Sequence, residues 1–396
     1  MPTYLGIPQE TLEENGAIHT AREIAGQPAL WRAIADHLLD SNEWKSFLNP
    51  LFARNDLSIV LTGAGSSDFI GKSAEPILKR SLKRSVRSIS TTTLVTHYRD
   101  YLDADTPVLL VSFARSGNSP ESLAAVERVD NWCREIWHLV ITCNPDGALA
   151  RGQKDTDRGY VLLLPPEAHD KSLAMTGSFT GMLLALLLAS DPEETRWSRE
   201  SVLNLSRNAE DLLKNEVERL QTLAREPFER AVFLGSGPLF GIAREAHLKL
   251  QELTDGEVIC TYDSFLGFRH GPKALVNEKT LVVYLFSNDP SVFRYEADLA
   301  KQIESEDRAM ETLSILPDAS QAEKRPDSNP VILASGGINP ADALLPLTLL
   351  PVQILAFYTS LERGYEPDQP SKKGTISRVV QGVTIYPDPI NGEGTE

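Results

Sequence analysis

Residues 108–129 read VLLVSFA, RSGNSPES and LAAVERV in succession. The first run is short, apolar and rich in branched residues, which is typical of a central strand in a parallel sheet. Ser119 followed by Pro120 is typical of a helix N-cap and a first helical position. The stretch therefore predicts a buried strand, a tight polar turn and a helix, which together form the repeating unit of an α/β fold.

The turn within this unit has the features of a phosphate site. Backbone N–H groups at a helix start point outward, and the helix dipole places partial positive charge there. Gly117 lets the chain approach a ligand closely, and Ser116 and Ser119 add hydroxyl donors. An ordinary βα turn with its usual small polar residues is the alternative interpretation.

Strands and helices alternate along the rest of the first half. The first strand, Leu57 to Leu61, runs into TGAGSSDFIG and a helix, and Met175 to Ala189 is a strongly apolar helix. Three more strands are expected, over residues 85–95, 138–143 and 160–164. This alternation predicts a doubly wound parallel sheet.

The second half repeats this plan. A strand at Ala231 to Leu234 runs into GSGPLFG and a helix that ends at Leu253. Later strands are expected near Val258, over 281–286, near Leu313 and over 331–334, and a last helix from about Asp342 to Glu362. The repeat indicates an internal duplication and two similar α/β domains.

The chain is therefore divided into four segments. We predict an N-terminal helical arm over residues 1–50, a first domain over 51–200, a second domain over 201–365 and a tail over 366–396. The middle of the tail, residues 377–386, is expected either to add a strand or to wrap a partner subunit.

Composition excludes several classes of protein. A net charge of −16 over 396 residues, without a run of basic residues, argues against nucleic-acid and acidic-membrane binding. The three cysteines form no CxxC pair or zinc spacing, and the N-terminus lacks the features of a signal peptide, so we expect a cytoplasmic protein. The apolar runs 181–189 and 344–358 are too short for membrane spans and are expected to be buried helices.

The glycine-rich turns do not favour a nucleotide. Asp68 and Phe240 stand where the third glycine of GxGxxG belongs, and no GxxxxGK[ST] loop is present, so no nucleotide cofactor is expected. Instead, two adjacent turns of the first half are rich in donors and lie at carboxyl ends of strands, where ligands bind. Their candidate residues are Gly65, Ser66, Ser67, Arg115, Ser116, Asn118 and Ser119. The matching turn of the second half contains Asp289, which would repel a phosphate.

The second half offers candidate acid–base groups. On the helix that ends at Leu253, the spacing places Glu245, Lys249 and Glu252 together on one flank. An ordinary i,i+4 ion pair with a solvated Glu252 is the alternative. His270, in the loop GFRHGPK, is an acid–base candidate at neutral pH or an incidental loop histidine.

Together these segments resemble the sugar isomerase (SIS) family in its tandem form, from about Leu51 to Tyr386. The turn ARSGNS resembles the family's SxSGxT motif except at its first position, and GSS resembles its GTS-like turn. KLQE and HGP resemble motifs in the isomerase half of glucosamine-6-phosphate synthase. The stretches RSGNSPES, AMTGSFT and FRHGPK are most similar to the tagatose-6-phosphate ketose/aldose isomerase and galactosamine-6-phosphate deaminase branch.

This resemblance implies two flavodoxin-like domains and a sugar 6-phosphate substrate. Glu252 would move a proton between C1 and C2, Lys249 would contact the sugar, and His270 would open the ring. In this family the histidine can reach the site from the partner subunit, and a homodimer or higher homo-oligomer is expected. Such proton transfer needs neither metal nor redox cofactor, and none is expected. The synthase's C-terminal catalytic lysine has no clean counterpart, although Lys372 and Lys373 lie near its position.

Three functions remain open at this point. Conversion of galactosamine 6-phosphate to tagatose 6-phosphate and ammonia is the first expectation, and plain aldose–ketose isomerisation is the second. A non-catalytic sugar-phosphate sensor is the alternative from another class, although no helix-turn-helix segment or basic patch accompanies the domains.

Overall fold

The computed structural model describes residues 2–154, 156–325, 330–334, 344–380 and 382–388. The N-terminal arm is helical, as the sequence predicts. Its elements are β1 Thr3–Tyr4, β2 Ile7–Pro8, α1 Gln9–Glu14, α2 Ile18–Ala25, α3 Gln27–Leu39 and α4 Glu43–Phe52. Helices α2 and α3 are separated at Gly26, and Pro28 lies in the first turn of α3, where a missing N–H costs nothing. Trp31 is fully buried and donates to the Thr180 hydroxyl at 3.1 Å, so the arm packs onto the body of the protein.

The first sheet has five parallel strands in the order β4-β3-β5-β6-β7. The strands are β3 Ser58–Thr62, β4 Ser85–Ser88, β5 Val108–Ala114, β6 Ile136–Thr142 and β7 Gly159–Leu163. The helices are α5 Ser66–Leu82, α6 Thr91–Tyr101, α7 Pro120–Trp132, α8 Ala148–Gln153 and α9 Gly177–Ala189. This is the flavodoxin-like order, with its switch point between β3 and β5, where ligands bind at the carboxyl ends of the strands.

The second sheet repeats that order as β12-β11-β10-β8-β9, again all parallel. Its strands are β8 Arg230–Gly235, β9 Ile259–Asp263, β10 Thr280–Leu285, β11 Glu311–Asp318 and β12 Val331–Ala334. Its helices are α10 Arg199–Asn215, α11 Val217–Ala224, α12 Pro238–Leu253, α13 Phe265–Phe268, α14 Pro290–Ser305, α15 Ala319–Ala322 and α16 Leu345–Glu362. The expected pair of doubly wound α/β units is confirmed.

The duplication extends to backbone conformation. Gly65, which precedes α5, has φ 58° and ψ −129°, and Gly237, which precedes α12, has φ 56° and ψ −126°. Positive φ values of this kind favour glycine, which lacks a Cβ. The two GxG turns are therefore the same structure used twice.

Two elements differ from the sequence prediction. The predicted strand 85–95 ends at Ser88, because the Ser90 side chain accepts from the Thr93 N–H at 3.2 Å and starts α6. An N-cap serine here outweighs the strand preference of the threonines that follow. The predicted long helix after residue 202 is divided at Glu216 into α10 and α11. Asp342, the expected start of the last helix, lies outside the described residues.

The two long apolar helices are interior elements. Every residue of α9 is buried. Helix α16 is the one described helix that is long and apolar enough to cross a bilayer, but 89% of its 18-residue window is buried within the protein. Its burial confirms the prediction of a core helix.

Helices α5 and α12, which follow the first strands of the two sheets, pack against each other. At their contact a Cβ on Gly241 would lie only 2.2 Å from the Ser73 hydroxyl, so the helices approach as closely as a glycine allows. This contact brings the first turn of α5 next to one flank of α12.

Candidate active site

The turn between β5 and α7 has the predicted cap. The Ser119 hydroxyl accepts from the Ser122 N–H at 3.2 Å, and Pro120 begins the helix. Gly117 has φ 69°, a left-handed conformation that suits glycine. The Asn118 side-chain oxygen accepts from the Ala148 N–H at 2.9 Å, so Asn118 joins this turn to the start of α8.

A small cavity of about 120 Å³ opens beside this turn. Its lining residues are Ala64, Ser67, Phe113, Ala114, Arg115, Ser116, Gly117, Ser119, Glu121, Ser122, Met175, Arg378, Val379 and Val380. Sites that enclose a drug-sized ligand have roughly 300–1,000 Å³, so this cavity suits the phosphate end of a sugar phosphate. It lies at the switch point of the first sheet, and four serine hydroxyls line it.

Arg115 stabilises one wall of this cavity through hydrogen bonds to backbone carbonyls. Its guanidinium is buried and donates to the carbonyl oxygens of Ser172 and Leu173, both at 3.0 Å, and of Arg378 at 2.9 Å. Burial lowers the pKa of Arg115, against the opposing charges of Asp170 and, more weakly, Glu252. Arg115 thus contributes positive charge beside the cavity. Its hydrogen bonds join its own turn to two other backbone segments, at residues 172–173 and at Arg378.

The C-terminal segment, described over residues 371–380 and 382–388, crosses the first domain of its own chain. Arg378 donates from Nε to the Asp170 carbonyl at 3.0 Å, and Val379 and Val380 line the cavity. Further along, the buried Asp388 carboxylate accepts from the Tyr98 hydroxyl at 2.7 Å and from Arg99 at 2.9 Å. The described part of the segment forms no strand, so the expected strand over 377–386 is not found there.

Lys249 joins the two domains. Its Nζ donates to the Ser66 hydroxyl at 3.1 Å and to Glu252 Oε2 at 2.6 Å, and lies 3.2 Å from Glu245 Oε1. Glu245 and Lys249 are completely buried, and the Glu252 side chain is 23% exposed. The flank of α12 is therefore not solvated, because α5 covers it. A carboxylate–ammonium pair from the second domain thus reaches the first turn of α5, next to the cavity-lining Ser67.

The remaining predicted basic groups lie outside this cluster. His270 is exposed on the loop after α13 and does not line the cavity. Lys372 and Lys373 are exposed as well, and the Lys372 ammonium donates to the Gly364 carbonyl at 2.8 Å. The two turns that the sequence predicts to bind phosphate, residues 65–67 and 115–119, are called the phosphate turns. Within one chain, the structure brings these turns together with Lys249 and Glu252. It leaves His270 and the two tail lysines on the surface.

The corresponding turn of the second domain contains two carboxyl groups of its own. Glu296, buried on α14, accepts from the Ser287 backbone N–H at 2.8 Å through its carboxylate. Asp289 accepts from the Ser291 N–H at 2.8 Å and caps α14. Two carboxyl groups therefore lie at the turn where the first domain presents serines.

Replacing Glu296 by glutamine is expected to flatten the pH dependence of stability. Burial raises the pKa of Glu296 from 4.5 to about 7. Between these values the folded protein holds a proton that the unfolded chain has released, so this group lowers stability as the pH rises. Between pH 5 and 8 the wild type should lose roughly 2–3 kcal/mol relative to Glu296→Gln in urea unfolding. The exposed Glu278→Gln is the control, and parallel curves for all three proteins would contradict the assignment.

Several lining residues were not predicted from the sequence. The first turn of α7 contributes Glu121, and the segment before α9 contributes Met175. The tail contributes residues 378–380. Met175 lies in the stretch AMTGSFT that resembles the family, but no spacing rule links it to the turn. Among the described side chains, no group of three or more His, Cys, Asp or Glu residues is placed to hold a metal ion.

Known proteins resemble this chain over nearly its whole length. The SIS domain family profile matches residues 51–190. The D-galactosamine-6-phosphate deaminase AgaS of Shewanella sp. (strain ANA-3) is 39% identical over 381 residues, which cover 96% of this chain and 94% of that protein. A solved structure from Clostridium novyi NT has a TM-score of 0.94 and 39% identity and covers 98% of this chain and 100% of its own. The crystal structure of tagatose-6-phosphate ketose/aldose isomerase from Escherichia coli has a TM-score of 0.86 and 36% identity, over 93% and 96% of the two chains.

Proposed function

Because this chain belongs to the family of SIS-domain proteins that includes D-galactosamine-6-phosphate deaminase AgaS, we propose that it converts galactosamine 6-phosphate and water to tagatose 6-phosphate and ammonia. The family resemblance seen in the sequence is confirmed. The observation that carries the proposal is the contact of Lys249 with both Glu252 and Ser66, at 2.6 and 3.1 Å. It supports a site in which a proton-transfer group of one domain faces the phosphate turns of the other.

The proposed reaction begins with the open-chain amino sugar held by its phosphate. Hydroxyls of Ser67, Ser116 and Ser119, together with the N-terminus of α7, bind the phosphate in the small cavity. Glu252 removes the proton from C2, and the electrons of the C–H bond form an enolamine between C1 and C2. Return of the proton to C1 gives an imine at C2, which water hydrolyses to the ketose and ammonia.

Lys249 stabilises the charge that develops in this transfer. When C2 loses its proton, negative charge builds on the oxygen at C1, and a fixed ammonium nearby lowers the energy of that state. Lys249 is buried, hydrogen-bonded to Ser66 and Glu252 and ion-paired with Glu245, so it does not have to reorganise during the step. Fixed charge in a water-poor site is more effective than the same charge in solution.

His270 is proposed to open the sugar ring from the neighbouring subunit of a homodimer. Its exposed position, outside the cavity of its own chain, supports a role across an interface. Cyclic dimers are the commonest oligomers, and a two-fold interface would supply one histidine to each of two equal sites. His270 would protonate the ring oxygen as the C1 hydroxyl proton leaves.

We also propose a cytoplasmic setting. Cys133, Cys143 and Cys260 are free thiols, and Cys133 and Cys143 are buried. Unpaired buried cysteines suit a reducing compartment.

Incubation with galactosamine 6-phosphate tests the function directly. We expect one ammonia for each tagatose 6-phosphate formed, and much lower rates with unphosphorylated galactosamine, because the phosphate turns then bind nothing. Glucosamine 6-phosphate, which differs only at C4, measures epimer specificity. No ammonia from any hexosamine 6-phosphate would contradict deamination.

Plain aldose–ketose isomerisation is the second candidate, because the Escherichia coli structure described above carries that name. It uses the same proton transfer, but on a sugar with a hydroxyl at C2, so galactose 6-phosphate would give the ketose without ammonia. Binding of both sugar phosphates without turnover of either would instead favour the sensor.

A further inference from the structure

Glu245 is a buried carboxylate for which the proposed reaction has no role. It lies one helical turn before Lys249 on α12, and its side chain has no exposed surface. A buried charge is costly unless it is paired. Its Oε1 lies 3.2 Å from the Lys249 ammonium, which is itself 1% exposed. The pair is therefore a fixed feature of the interior.

The three groups on this flank form an ordered cluster. Lys249 Nζ, with three protons to donate, faces Ser66 Oγ at 3.1 Å, Glu252 Oε2 at 2.6 Å and Glu245 Oε1 at 3.2 Å. Glu252 is its partly exposed end and Glu245 its buried end. One ammonium thus stands between a carboxylate that can meet substrate and another that cannot.

We propose that Glu245 is a positioning residue, which keeps Lys249 protonated and directed at Ser66 while Glu252 gains and loses the substrate proton. The inference rests on the proposed proton transfer by Glu252. When Glu252 becomes neutral, a buried ammonium without a second counter-charge would be pushed toward losing its own proton. Glu245 supplies that counter-charge from the buried end of the cluster.

The electrostatics of the cluster agree with this role. Burial raises the pKa of Glu245 to about 7, with Lys249 opposing and Glu252 adding to the rise. Burial alone would lower the pKa of Lys249, but Glu245 and Glu252 outweigh it and hold that pKa above its ordinary value. Helix α5 contributes the neutral Ser66 hydroxyl. Helix α16, on another side of α12, carries one charged residue, Glu362, which pairs with Arg225 at the helix end.

Glu245→Gln tests the proposal through the pH profile of kcat. Without Glu245, Lys249 loses a charge that keeps it protonated, so the basic limb of the profile should move to lower pH by about one unit. Glu245→Asp should restore the basic limb toward its wild-type position. Glu296→Gln, the same change at another buried glutamate of this domain, should leave the basic limb unmoved. A fall in kcat with the basic limb in place would reduce Glu245 to a structural residue and overturn the proposal.

A second measurement needs no substrate and covers the case in which Glu245→Gln has too little activity. Thermal midpoints at pH 8 are compared for wild type, Glu245→Gln, Lys249→Met and the variant with both changes. A control set uses Glu296→Gln instead of Glu245→Gln, alone and combined with Lys249→Met. The two cluster changes should be strongly non-additive and the control pair additive. If the changes in thermal midpoint are non-additive but the protein releases no ammonia, the proposed function is rejected and the pairing of Glu245 with Lys249 is kept. Additivity in an active enzyme would reject the inference alone.

Discussion

Replacing Glu252 by glutamine should lower kcat by roughly 10²–10⁴-fold, the usual contribution of a positioned general base. Glutamine keeps the size of the side chain and can still accept from Lys249, but it cannot take a proton from C2. KM should change little, because the phosphate turns lie on the other domain. Ammonia release at saturating galactosamine 6-phosphate measures the effect. Turnover within a factor of ten of wild type would remove Glu252 from the base role.

The same variant also tests the shared histidine. Glu252→Gln and His270→Ala should each be nearly inactive alone. The two proteins are then mixed and allowed to form hybrid dimers. If His270 acts across the dimer interface, one of the two sites in each hybrid combines both substitutions, and the other combines an intact Glu252 with an intact His270. Recovered activity would support the exchange. No recovery, with hybrid dimers demonstrated by mass spectrometry, would place His270 and Glu252 in the site of one chain or outside it.

Removing the hydroxyls of Ser116 and Ser119 together should raise KM for the sugar phosphate by two orders of magnitude or more. A hydrogen bond to a charged group contributes about 1.5–3 kcal/mol, and each factor of ten in affinity corresponds to about 1.4 kcal/mol. Catalysis by Glu252 should be much less affected, since the two serines contact the phosphate end. Steady-state kinetics with galactosamine 6-phosphate and inhibition by inorganic phosphate both report the change.

Ser119 also caps α7, so the loss of a cap must be separated from the loss of a ligand. Ser90→Ala removes an equivalent N-cap on α6, with its hydrogen bond to the Thr93 N–H at 3.2 Å, and should cost about 1 kcal/mol of stability without a change in KM. Ser119→Asp keeps the cap but adds a negative charge beside the phosphate, and should raise KM further than Ser119→Ala. An unchanged KM in both Ser119 variants would contradict the phosphate assignment.

The fold and half of the site follow from local sequence signals. Strand, glycine turn and capped helix are properties of short stretches, and the cap predicted at Ser119 forms with its hydrogen bond to Ser122. The spacing of Glu245, Lys249 and Glu252 also placed them correctly on one helix flank. It could not show that this flank is buried, because the covering surface is α5, which lies more than 150 residues earlier in the chain.

The wall of the cavity is the part that sequence reasoning missed. The Arg378 carbonyl accepts a hydrogen bond from Arg115, and the Arg378 guanidinium donates to the Asp170 carbonyl. Both partners lie more than 200 residues earlier in the chain. Both contacts use backbone carbonyls, which every residue carries, so no side-chain pattern marks them in advance. Asp388 differs, because its contacts are between side chains, but its partners on α6 and α7 look in the sequence like ordinary surface residues.

The path of the C-terminal segment has a consequence for protein engineering. A fragment cut at the limits of the family match, residues 51–190, would contain every serine of the phosphate turns. It would lack the two valines that close the cavity and the lysine that meets Ser66. The matched unit is thus smaller than the unit that we propose binds a sugar phosphate. Grafting one half onto another scaffold should transfer the architecture and lose the affinity.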